Sequence, residues 1–144
     1  MNKYKKEIEI CVRGLIRNKG NILVCWNKKK KYYFFPGGHV EFGETLENAL
    51  KRELKEELDI TVLKLRFIGA VENIFEEDKE KHYEINFIFD VLTKTQKNKS
   101  KENHIDFFFL NKEEFSKRKV LPFSMKKSVI KWMEDKKPFF INKK

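Results

Sequence analysis

Residues Gly37 to Ile60 read GGHVEFGETLENALKRELKEELDI. Leu46, Leu50, Leu54 and Leu58 repeat every four residues, with Ala49 beside them, so Thr45 to Leu58 is predicted to be a helix with one apolar stripe. Thr45 is suited to cap its N-terminus. Glu53, Glu56 and Glu57 follow spacings of three and four, which places them on one helical face. Arg52 is beside them and Glu44 just precedes the helix, while Lys51 and Lys55 project elsewhere. Three carboxylates within one turn repel each other unless a cation joins them, and a hard divalent ion such as Mg²⁺ prefers such oxygen donors. The Gly37-Gly38 pair permits a sharp turn, so that a main-chain carbonyl can reach the same ion. Taken alone, this helix also suits a solvated surface rich in Glu and Lys.

On the N-terminal side, Glu7 to Arg17 alternates as a strand, Asn18-Lys19-Gly20-Asn21 is a turn, and Ile22 to Trp26 is the return strand. Lys28 to Lys31 forms a four-lysine tip before a short aromatic strand, Tyr32 to Phe35, which Pro36-Gly37-Gly38 is expected to stop. On the C-terminal side, Val62 to Val71 and His82 to Leu92 are strand-like, with a charged loop between them at Glu76 to Lys81. Lys94 to Asn103 is polar, Ile105 to Leu110 is an aromatic strand, and Lys112 to Lys117 allows a turn or two of helix. After Leu121-Pro122-Phe123, Ser124 to Asp135 is predicted to be a closing helix with Met125, Val129, Trp132 and Met133 on one face. Strands, a helix, more strands and a helix indicate an α+β sheet with helices on its faces, not a doubly wound series.

A chain of 144 residues suits one domain, residues 1–144, and 40% hydrophobic residues suffice for a core. No apolar run approaches the roughly 20 residues that span a bilayer, so no membrane association is expected. The basic N-terminus lacks an apolar stretch behind it, and Cys11 and Cys25 lie in apolar strands as reduced core residues, not as a disulfide framework or a metal site. Both features predict a cytoplasmic protein. The net charge of +10 invites a nucleic-acid reading, but 27 of the 32 basic residues are Lys and only five are Arg. Arginine forks are the better readers of phosphate and base edges. A solvated lysine surface is the main reading, and attraction of nucleotides or RNA is the other.

Gly38, five residues, Glu44, seven residues, Arg52-Glu53-Leu54, one residue, Glu56-Glu57, one residue, then Asp59-Ile60 resembles the signature of the Nudix hydrolases. That signature is GX5EX7REUXEEXGU, with U aliphatic. The one departure is Asp59, which stands where the family has its second glycine at the helix exit. Asp tolerates a left-handed backbone better than most residues, at a cost of about 1 kcal/mol. The resemblance implies an α/β/α sandwich with a mixed sheet and helices on both faces. It implies Mg²⁺- or Mn²⁺-dependent hydrolysis of a pyrophosphate bond in a nucleoside diphosphate-linked small molecule, such as a (d)NTP or nucleotide sugar. Glu56 and Glu57 would ligate metal, with Glu53 a ligand or water-orienting group and the Gly38 carbonyl a further ligand. Arg52 and Glu44 would hold the loop on the helix through an ion pair.

The general base is implied to be a box glutamate or a later one. Glu102 is the later candidate, against a reading as a solvated charge, and Asp106 is a weaker one. Arg13 or Arg17 is a candidate phosphate contact, with a surface ion pair as the alternative. His39 is a candidate lining of the substrate cleft, against a structural or solvent-facing role, and Tyr33, Phe75, Tyr83 or Phe123 a candidate platform for a base, against a core role. The proline found in many ADP-ribose hydrolases about sixteen residues past the box is missing, since none lies between Pro36 and Pro122. The competing expectations are a hydrolase of RNA 5′ ends, a Nudix-fold binding module with little catalysis, and a structural domain indifferent to Mg²⁺. A homodimer is compatible with all of them.

Overall fold

The computed structural model describes residues 7–94 and 105–143. Strands β1 (Ile8–Asn18) and β2 (Asn21–Asn27) form a hairpin whose two linking residues, Lys19 and Gly20, both have positive φ. That backbone twist matches the twist of paired strands. The short strands β3 (Tyr32–Phe34) and β4 (Gly37–His39) lead into helix α1 (Leu46–Leu58). Strands β5 (Val62–Glu77) and β6 (Glu80–Thr93) follow, then β7 (Ile105–Leu110), α2 (Lys112–Lys117), β8 (Val120–Leu121), α3 (Phe123–Asp135) and β9 (Phe139–Lys143).

The sheet runs β8-β3-β2-β1-β6-β5-β9, with β4 also on β1 and β7 also on β2. It is mixed: β1–β6, β5–β9 and β3–β8 are parallel, and the other pairs are antiparallel. The pleat sends alternate residues of each strand to opposite faces, and each face has its own core. On one face Ala49, Leu50, Leu54 and Leu58 of α1 pack with Val12, Ile16, Leu23 and Phe89. On the other, Met125, Val129 and Trp132 of α3 pack with Leu15, Val24, Ile68 and Ile88. Each fully buried Leu contributes about 1.5–3 kcal/mol relative to exposure. The result is the α/β/α sandwich that the resemblance implies.

One expectation is corrected, and two features lie beyond the sequence reading. The charged loop at Glu76 to Lys81 is instead a tight hairpin, because Glu77 pairs with Glu80 and only Asp78 and Lys79, both at positive φ, turn the chain. Charged residues extend the strands here because this end of the hairpin is largely exposed. β3 ends at Phe34, before Pro36-Gly37-Gly38 as expected, but Gly37 and Gly38 do not end the sheet. They continue it as β4, since Gly37 at φ 145 approaches the Val12 carbonyl more closely than any side chain would permit. The strand β9, which adds to β5 after Pro138, is absent from the sequence reading.

Candidate active site

The local order of the site starts with the ends of α1. The Asn48 N–H donates to Thr45 Oγ1 at 3.1 Å, which caps the first turn as expected. At the other end Asp59 adopts φ 55 and ψ 36, and the Ile60 N–H returns to the Leu54 carbonyl at 3.1 Å. This is a left-handed exit of the kind that usually takes glycine. The helix thus starts and stops at fixed points, which sets the azimuth of every side chain on it.

Arg52 fastens the preceding loop to that helix. Its Nη2 and Nε donate to Glu44 Oε1 and Oε2 at 2.6 and 3.1 Å, a two-point fork. Nη2 also donates to the His39 carbonyl at 3.0 Å, while Nη1 donates to Glu53 Oε1 at 3.0 Å and Glu56 Oε2 at 3.3 Å. Glu44 in turn accepts the Glu41 N–H at 2.8 Å. Hydrogen bonds from Arg52, and then from the Glu41 backbone, hold the Glu44 carboxyl down at about 2. Arg52 is pushed up, mainly by its hydrogen bond to Glu44.

Glu53 is tucked beneath β4, with its side chain 14% exposed. A methyl group on Gly38 would lie 2.4 Å from Glu53 Cδ, so a side chain there would force the Glu53 carboxylate to move. Glu56 is 60% exposed, and Glu57 is half-buried with Oε2 shielded from solvent. Gly38 therefore lies against one carboxylate, with two more a turn along the helix. The donors on this face are all oxygens, and Arg52 is the cation held among them. Oxygen donors of this kind suit a hard divalent ion, and Glu53, Glu56, Glu57 and the Gly38 carbonyl would be the groups to hold one, although the three carboxylates do not converge on one point among the described residues.

A cleft of about 520 Å³ opens on the opposite face of the sheet. Arg13, Glu84, Asn86, Asn73 and Phe75 belong to its strands, while Phe35, Pro122, Phe123 and Met125 line it from the α3 side. Arg13 is braced here: Nη1 donates to the Phe35 carbonyl at 3.1 Å and Nε to Asn86 Oδ1 at 3.5 Å. Asn86 is 1% exposed. No carboxylate of the α1 face lines the cleft. Gly38 abuts Glu53 on one face, and the next residue, His39, pairs with Cys11 and carries its side chain to the other.

The remaining candidates separate on contacts. Arg17 is taken up by Asp90 at 3.0 Å and lies 5.5 Å from the Trp132 ring, so the ion-pair alternative describes it. Phe123 is half-exposed at the rim of the cleft, and Phe75 lies in it, stacked on His82 at 5.0 Å. Tyr33 packs on Trp26 and the α3-side core, and the Tyr83 hydroxyl donates to Glu72. Asp106 pairs with Lys28 at 3.3 Å. Lys30 of the lysine tip bonds Asp78 at 2.7 Å, so part of that charge is locally neutralised. Glu102 lies outside the described residues. Glu84, Asn86 and Asn73 went unnoticed in sequence. The only signal was polar residues alternating within β6, a pattern shared by any solvent-facing strand.

The sequence matches the NUDIX domain family over residues 6–133. An 8-oxo-dGTP diphosphatase of Buchnera aphidicola subsp. Acyrthosiphon pisum is 49% identical over 55 residues, which are 38% of this chain and 44% of that protein. This chain thus spans about half the length of such a relative. An ADP-ribose pyrophosphatase of Methanocaldococcus jannaschii is 32% identical over 117 residues, 77% of this chain and 69% of that one. The crystal structure of a MutT protein from Methanosarcina mazei Go1 superposes with a TM-score of 0.77 at 25% identity, covering 94% of this chain and 99% of that chain.

Proposed function

The chain belongs to the NUDIX family, and from that membership we propose that it hydrolyses a pyrophosphate bond in a nucleotide-linked small molecule, with Mg²⁺ or Mn²⁺ at the α1 carboxylates. The observation that carries this reading is the contact of Gly38 with Glu53, clamped from the side by Arg52. It sets β4 directly against the carboxylate face of α1, and a cleft large enough for a nucleoside opens on the other face of the sheet.

When bound, the ion screens the polyphosphate charge, polarises phosphoryl oxygens and lowers the pKa of bound water. The protein's own residues do the positioning. Arg52 holds Glu53 and Glu56 in place and keeps the His39 carbonyl and the Glu44 loop in register with them. The nucleoside occupies the cleft, between Phe123 and the floor of Arg13 and Asn86, and its phosphates pass His39 to reach the carboxylates. The alternation of Gly38 and His39 on β4 supports that path. A carboxylate takes the proton of the attacking water, and Glu102 is our candidate beside the box glutamates.

Relatives bearing diphosphatase and pyrophosphatase names support a (d)NTP or nucleoside-diphosphate substrate. The test is a product assay in Mg²⁺ with (d)NTPs, an oxidised dGTP, ADP-ribose, nucleotide sugars, dinucleoside polyphosphates and 5′-triphosphorylated RNA, with Glu57→Gln as control. Selective cleavage of one class that disappears in Glu57→Gln is expected. Equal activity in the variant overturns the assignment.

A further inference from the structure

We propose that Cys11, His39 and Glu84 form a second metal site, of the zinc class, on the cleft side of β4. One donor atom from each of the three lies within 4.8 Å of the others. The convergence is set by strand register and not by a loop. Cys11 and His39 are direct partners across the antiparallel β1–β4 pair, and Glu84 is on β6, the parallel neighbour of β1. Cross-strand partners place their Cβ atoms about 4.5–5.5 Å apart, so the sheet itself presents the pair.

The donor chemistry separates this site from the one on α1. A thiolate, an imidazole and a carboxylate suit Zn²⁺ and its borderline-soft neighbours. Mg²⁺ prefers oxygens alone, so the two sites sort their ions by donor type. Glu9 completes the surroundings, since its Oε1 is 3.3 Å from His39 Nε2. If the ion takes Nε2, Glu9 stands ready as a fourth donor. If it takes Nδ1, Glu9 orients the ring through the other nitrogen, as carboxylates commonly do beside metal-bound histidines. The His39 side chain is 61% exposed, which leaves room for entry and for a water ligand.

Cys11 Sγ already points at Glu84 Oε2, 3.8 Å away. Burial pushes the thiol up to about 12, so binding must displace its proton. Sulfur gives up that proton to solvent as the S–metal bond forms. An ion here stands beside the cleft, which Glu84 also lines, and next to Gly38 along β4. If the hydrolase reading is right, it also obstructs the path of the phosphates, and zinc inhibits Mg²⁺-supported turnover.

The test uses the full chain and Co²⁺ as a spectroscopic stand-in for Zn²⁺. We expect a thiolate-to-cobalt charge-transfer band in the near ultraviolet, which equimolar Zn²⁺ abolishes. Cys11→Ala removes the band, whereas Cys25→Ala and Glu57→Gln retain it. His39→Ala, at an exposed position that the fold tolerates, weakens cobalt binding by roughly tenfold or more. No band in the wild-type protein, a band that persists in Cys11→Ala, or unchanged cobalt affinity in His39→Ala overturns the site. The absorbance is read without any turnover, so failure of the hydrolase reading leaves this test intact.

Discussion

Gly38 and Glu53 are in contact so close that a side chain on Gly38 would force the Glu53 carboxylate to move: a Cβ there would lie 2.4 Å from the Glu53 carboxyl carbon. The contact is what seats β4 on the carboxylate face of α1. Gly38→Ala must therefore push Glu53 or β4 aside. Overpacking of this kind costs about 1–3 kcal/mol, and a misplacement of about 1 Å costs on the order of 10²-fold in rate. We expect both losses, read as a lower urea midpoint and a lower kcat. The double variant Gly38→Ala/Glu53→Ala should recover stability but not activity, as coupled neighbours do. An additive double variant would mean that the two residues act separately.

The Glu44–Arg52 fork makes a prediction in pH. Glu44 is held at about 2, against an ordinary value of 4.5. A carboxylate depressed in the folded state stabilises it above the unfolded pKa, and that contribution fades as pH falls through the folded value. The window is thus from about pH 4.5 to about pH 2. Comparing melting temperatures of the wild type and Glu44→Gln, the wild-type advantage should be flat above pH 5 and shrink steadily below it. A constant difference across that window contradicts the pairing. Arg52→Lys loses the fork's planar geometry and should lower turnover by roughly tenfold to a hundredfold, in the manner of residues that orient metal ligands.

Glu57→Gln should abolish turnover while leaving the urea midpoint nearly unchanged, because Glu57 lies beyond the apolar stripe of α1. The same substitution should remove the rise in melting temperature that Mg²⁺ gives the wild type. At a hundred times Kd that rise corresponds to about 2.7 kcal/mol. Glu102→Gln should cost at least about tenfold if that carboxylate is the base, within the usual 10²–10⁴-fold contribution of such groups. A change below about twofold would return the role to the box glutamates.

Helix α1 was legible because its leucine period, cap and carboxylate spacing are all local, and each is found where the sequence puts it. The hairpin at Asp78-Lys79 was not, because exposed charged residues extend a strand as readily as they fill a loop, and only two positive-φ residues mark the turn. β9 follows Pro138 and is five residues long, too short for a period to register. The cleft floor was hidden for a different reason. Glu84, Asn86 and Arg13 come together through the parallel register of β1 on β6, a pairing between strands far apart in the chain. Spacing along one segment cannot reveal it. His39 was visible as a residue of the motif, but its place beside Cys11 depends on the two glycines continuing the sheet.

Asp59 gives the most direct test of how a departure from the family pattern is tolerated. It holds a left-handed backbone at φ 55 and donates its N–H to the carbonyls of Leu54 and Lys55. Its carboxylate meets Lys55 at 2.7 Å, but both side chains are more than half exposed, so the ion pair contributes little. The backbone strain is about 1 kcal/mol for an Asp and vanishes for glycine. Glycine also adds entropy to the unfolded chain, which offsets part of that gain. Asp59→Gly should therefore range from neutral to about 1 kcal/mol more stable, and Asp59→Ala should lose about 1 kcal/mol. Neither should move kcat by more than about twofold, because the exit of the helix is fixed as well by the Ile60 N–H on the Leu54 carbonyl. Urea unfolding and steady-state rates of the three proteins decide the matter. A loss of stability in Asp59→Gly would show that the Asp59 side chain, and not the backbone, is what this position requires.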